Sequence, residues 1–257
     1  IVVQADHNIV QDMPSILARR LVVVSSGSYD VGPNTIDLLA DLEVEGSLNA
    51  ANGELRMIGG SKQVITGTTP IEVRDITLDN PGGLDLMSPL DIIGTLSLVQ
   101  GEFTTNENKV RLVSNASGTA RLGPVGASAS MNGNLFVERY IPAGTTNWRP
   151  LSSPVQNRNL NNWQDDFITA GFPGAHYPNF TSGGQLWPSI RSYNEPMPGP
   201  MVVGMVGPVN VNDPLTPGRG FQAWSGSSPR KPPLRAKRTA SFMTNFFSKT
   251  PTPRLER

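Results

Sequence analysis

A chain of 257 residues that is 37% hydrophobic, only 16% charged and carries 26 Gly and 23 Pro is long enough for one large or two ordinary domains, and its composition suits many short strands and turns better than helices. The absence of Cys excludes disulfides, thiolate metal sites and cysteine nucleophiles together. A formal net charge of zero conceals an uneven distribution: residues 225–257 hold eight Lys/Arg against Glu256 alone, which leaves 1–224 acidic.

Along residues 15–125, strand-sized stretches with period-two alternation follow one another, among them ELRMIG (54–59), IEVRDITL (71–78) and LDLMSPL (84–90). Two longer stretches repeat. LEVEGSLNAANGEL (42–55) aligns with LDIIGTLSLVQGEF (90–103), with Leu42, Val44 and Leu48 opposite Leu90, Ile92 and Leu96 and with Gly46 and Gly53 opposite Gly94 and Gly101. A third copy aligns GSYDVGPNTIDL (27–38) with GEFTTNENKVRL (101–112), matching Tyr29 to Phe103 and Ile36 to Val110. Units that cannot bury their own apolar face stack on their neighbours, so self-similarity of this kind predicts a solenoid. The 48-residue spacing reads as two coils of about 24 residues, and the six paired aliphatic residues as one continuous core. Residues 1–130 are therefore expected to form a right-handed parallel β-helix.

After SASMNG (128–133) the character changes: all four Trp (Trp148, Trp163, Trp187, Trp224) lie beyond it. Large, dissimilar side chains suit an irregular globular core, so residues 131–224 are expected to form a β-sandwich-like, jelly-roll-type module. Trp148 in NWRPL and Trp224 in GFQAW read as its core anchors. Residues 225–257, basic and Pro-rich without alternation, read as a disordered tail. That tail is either a non-native, out-of-frame end or a basic arm, and the Phe242 to Phe246 spacing allows a short helix within it. The whole chain is all-β.

Several ordered motifs carry a family resemblance: GNLFVERYIPAGTTNWRPLSSPV (133–155), NWQDDFITAGFPGAHYP (162–178), SIRSYNEP (189–196) and DPLTPGRGFQAW (213–224), preceded by SGTARLGP (117–124). Together they resemble the large surface proteins of Bacteroidota, in which β-helical coils precede a β-sandwich-like module and export is commonly by type IX secretion. The resemblance implies a place secreted from, or on the surface of, a Gram-negative cell. Any export signal is then removed or lies outside this sequence, and the basic tail departs from the family pattern.

Candidate chemistry is sparse. His7 and His176 are the only histidines, and His176 reads as a loop residue because no nucleophile-elbow pattern surrounds any Ser. Asp165 and Asp166 are adjacent, and neighbouring strand residues point to opposite faces, which speaks against a pair of glycosidase carboxylates. No cofactor is expected except calcium, for which Asp165, Asp166 and Asp213 offer hard oxygen ligands without a recognised calcium-loop spacing. Trp163, Tyr177 and Trp187 are the candidate ligand-binding platform. The reading is a non-enzymatic, secreted or cell-surface structural or adhesion protein whose partner is a cell-surface or extracellular polysaccharide or protein, with neither nucleic-acid binding nor a membrane span. The alternative is a carbohydrate-binding module of a polysaccharide-degrading system.

Overall fold

The computed structural model describes residues 1–141, 147–164, 166–225 and the backbone of 242–245. It is 4% helix and 52% strand, and it divides into two compact units, the first running Ile1–Glu138 and the second beginning at Arg139. No helix among the described residues is long and apolar enough to cross a membrane.

The first unit is a parallel β-solenoid of about six turns. Each coil contributes three short strands, and each strand pairs in parallel with its counterparts in the coils before and after. One face stacks Val2–Val3, Leu21–Val23, Leu42–Val44, Gln63–Gly67 and Leu84–Leu86. A second stacks Asn8–Val10, Ser28–Asp30 and the start of Ser47–Met57, then Ile71, Leu90–Ile92, Val110–Leu112 and Asn134–Val137. On the third, Ile16, Ile36, Leu55, Ile76, Leu96 and Leu122 stand in register.

Those third-face residues advance by 20, 19, 21, 20 and 26 residues, so the coil is about 20 residues long rather than the 24 expected. The longer last step accommodates a hairpin, Ser114–Asn115 with Gly118–Thr119, inserted at the corner before Arg121–Asn132. The solenoid also runs on to Val137, past the boundary at 130 that the sequence suggested.

Alternation determines what fills the interior. Leu21, Leu42, Ile65 and Leu86 form one aliphatic ladder, and Val73, Ile92 and Leu112 another, all buried in a single cluster. Leu42, Val44, Leu90, Ile92 and Leu96 are buried as expected, with Leu48 partly buried against them. Two corners carry buried amides. Gln63 donates to the carbonyls of Leu38 and Ala40 at 3.0 and 2.6 Å and accepts from the Gly59 N–H at 2.9 Å. Asn80 donates to Gln63 Oε1 at 2.9 Å, so the turn backbone finds partners where no strand can supply them. On the outside, ion pairs link neighbouring coils: Arg56 to Asp37, Lys62 to Asp85, and Arg111 to both Asp91 and Glu138.

The second unit is sandwich-like and antiparallel. Its main sheet has the order Asn147–Ser152, Gly220–Ser225, Ile190–Tyr193, Met205–Val206, and a separate hairpin pairs Thr181–Ser182 with Gln185–Leu186. Most of the expected tail lies outside the described residues. Phe242–Asn245, where disorder or at most a short helix was expected, is instead a strand beside Asn134–Val137.

Candidate binding face

The central strand Gly220–Ser225 sets the geometry of the second unit. Its register places Trp224 opposite Trp148, Gln222 opposite both Pro150 and Arg191, and Ala223 opposite Ile190. Successive strand residues point to opposite sides, so Ile190, Phe221 and Ala223 share one side and Trp148, Gln222, Trp224 and Arg191 the other.

The first side is the core. Ile190, Phe221 and Ala223 are buried there, and Trp163, fully buried, meets Phe221 edge-on at 5.6 Å and Phe167 at 5.9 Å. Trp163 lies in the short 3-10 helix Leu160–Trp163. Its expected role as an exposed platform is therefore corrected: it is the anchor of this unit, and no ligand ring reaches it without opening the core.

The second side carries a tryptophan cluster. Trp148, Trp187 and Trp224, each half-buried, have ring centroids 5.3, 5.3 and 5.4 Å apart, and Phe180 packs edge-on against Trp187 at 5.8 Å. Trp148 and Trp224, expected in the core, are on the outer side instead. The Arg191 guanidinium lies 4.7 Å from the Trp148 ring and 5.5 Å from that of Trp187, a cation–π arrangement on two faces. Arg191 Nε donates to the Pro188 carbonyl at 3.3 Å, and among the described residues no carboxylate pairs with this guanidinium.

Trp187 is held from behind. Gly171 has φ +78°, and a Cβ there would lie 2.1 Å from the Trp187 carbonyl oxygen, so only glycine fits this approach. Ala170 and Ser189 exchange hydrogen bonds, N–H to Oγ at 2.8 Å and Ser189 N–H to the Ala170 carbonyl at 2.9 Å. Buried Thr169 continues the buttress: its N–H donates to His176 Nδ1 at 3.2 Å, and Gln164 Nε2 donates to its hydroxyl at 2.9 Å. His176 in turn donates its backbone N–H to the Thr169 hydroxyl at 3.2 Å and serves here as a structural loop residue.

Tyr177 is 53% exposed, and its backbone takes part in the same buttress by donating to the Thr169 carbonyl and accepting from Gly171. Of the three residues expected as a platform, only Trp187 belongs to the cluster. Asp165 lies outside the described residues. Asp213 accepts from the N–H groups of Val209 at 2.7 Å and Asn210 at 3.3 Å, which makes it the closing group of a turn. Among the described residues no three His, Cys, Asp or Glu come together as a group that could hold a metal ion.

Comparison of the chain with protein-family models, curated proteins and solved structures finds no match.

Proposed function

We propose that this chain is a non-enzymatic structural and adhesion protein, secreted or displayed on the surface of a Gram-negative cell, with the solenoid as its scaffold and the antiparallel unit as its contact module. The observation that carries the reading is the uninterrupted stack of about six coils around one aliphatic core. Such a stack satisfies the backbone of each strand through the coils on either side, and it gains length and rigidity without disulfides. That economy suits a spacer outside the cell. The motif resemblance to Bacteroidota surface proteins exported by type IX secretion supports the location, and the half-buried aromatic side of the second unit supports a role in contact with an extracellular polysaccharide or protein.

The test is immunolabelling of the producing cells with antibody raised against the purified chain. Labelling of intact cells, or recovery of the chain from the medium, is the expected result. Labelling that requires permeabilisation would overturn the location. Incubation of the purified chain with the polysaccharides it binds should release no new reducing ends, and steady release would overturn the non-enzymatic reading.

A further inference from the structure

We infer that the outer side of the sheet in the second unit, built from Trp148, Trp187, Trp224, Arg191 and Gln222, is a binding site for an acidic glycan whose sugars carry a carboxylate. The inference names a ligand for the contact module and so rests on the adhesion reading above.

The argument begins with the split between the two sides of one strand. Phe221 and Ala223 use the buried side for stability, which leaves Gln222 and Trp224 on a side that the unit does not need for its core. Three indoles crowd there, each half-buried and so still part-exposed to solvent. Indole faces stack on the C–H faces of sugar rings, and the partial negative charge of the indole also holds the Arg191 guanidinium in place. The rings are mutually inclined by 44°, 69° and 87°, so they form a notch rather than one flat platform. A notch takes a single sugar edge-on.

Charge decides the class of sugar. Arg191 is a half-buried cation that, among the described residues, has no carboxylate partner and commits only its Nε to a carbonyl. Its two terminal nitrogens match the two oxygens of a carboxylate, the geometry in which guanidinium recognition is strongest. Gln222, directly across the strand pair from Arg191, supplies a donor and an acceptor for ring hydroxyls. A nucleic acid fits less well: residues 139–225 contain five Arg against three Asp and one Glu, too little positive charge to follow a polyphosphate backbone, whereas the glycan is held at one sugar, through its carboxylate at Arg191, rather than along its length.

The test is a tryptophan-fluorescence and calorimetric titration of the full chain with hexamers of galacturonate, glucuronate and mannuronate, with the neutral hexamers of glucose and mannose and a single-stranded oligonucleotide as comparison. At least one uronate hexamer is expected to bind with a fluorescence change, at least tenfold more tightly than any neutral hexamer. Arg191→Gln should weaken that binding tenfold or more, Arg191→Lys should restore part of it, and Trp187→Ala should abolish it while circular dichroism reports an intact fold. Absence of binding by all three uronates, equal binding of neutral sugars, unchanged affinity in Arg191→Gln, or tighter binding of the oligonucleotide would each overturn the inference. None of these outcomes bears on the surface labelling, so failure here and failure of the adhesion reading are told apart.

Discussion

Leu42 and Leu90 open two nearly identical stretches, LEVEGSL and LDIIGTL, and lie on different faces of the solenoid: Leu42 is stacked between Leu21 and Ile65, Leu90 between Ile71 and Val110. The repeat therefore records a strand, a glycine corner and a second strand, and it recurs after two coils plus one face. Gly46 and Gly94 are the matching corners. A Cβ at Gly46 would lie 2.3 Å from the Gly27 carbonyl oxygen, and one at Gly94 would lie 2.5 Å from Asp75 Oδ1.

Ile92 is fully buried between Val73 and Leu112. Truncation to Ala removes contacts on both neighbouring coils and leaves a cavity that parallel strands cannot close. A loss of about 2–5 kcal/mol is expected in urea unfolding. A loss under about 1 kcal/mol would show that the ladder is not closely packed there.

Gly101 and Gly118 make a matched pair for testing the corners. Gly101 has φ +89° and a Cβ would lie 1.9 Å from the Asn80 carbonyl oxygen, whereas a Cβ at Gly118 meets nothing within 4 Å. Gly101→Ala should destabilise by about 1–3 kcal/mol or more, and Gly118→Ala should stay within about 0.5 kcal/mol of the parent. Equal effects in thermal unfolding would contradict the close approach of the two coils at Asn80.

Tyr29 is buried, its hydroxyl 3.3 Å from Gln11 Oε1, and burial together with the nearby Asp12 charge pushes its pKa above the ordinary value of 10.0. The fold favours the neutral phenol. Its contribution is complete below pH 10 and is lost as pH rises through the higher folded pKa. Unfolding free energies measured from pH 9 upward should therefore fall more steeply for the native chain than for Tyr29→Phe, and parallel curves would contradict the burial of this hydroxyl.

The solenoid was legible in the sequence because alternation is a local property: one strand's inward residues can be read without knowing its neighbours. Coil length was not legible. The three faces of a coil look alike, so self-alignment paired strands on different faces, and the Ser114–Thr119 hairpin broke the period further. The candidate site was harder still. Trp224 is three residues from Phe221 and Trp148 three from Leu151, a spacing that puts each pair on opposite sides of a strand. That signal was present, yet the rule that large apolar residues are buried pointed the other way. Trp163 carried no comparable signal, since its burial depends on the distant Phe221. Arg191 became a candidate only when folding brought it over Trp148 and Trp187.

The proposed scaffold rests on a coil of about 20 residues, and the most direct measurement of it is cysteine cross-linking in a chain that has no cysteine of its own. Thr77 and Ser97 are outward-facing register partners on adjacent coils of the third face, and parallel neighbours about 4.8 Å apart fall within reach of a disulfide. Asn49, the residue equivalent to Ser97 in the repeated motif, lies on the second face. Thr77→Cys with Ser97→Cys should close quantitatively under mild oxidation of the folded chain, while Asn49→Cys with Ser97→Cys should remain reduced. A folded Thr77/Ser97 pair that stays reduced, or an Asn49/Ser97 pair that closes, would contradict the coil.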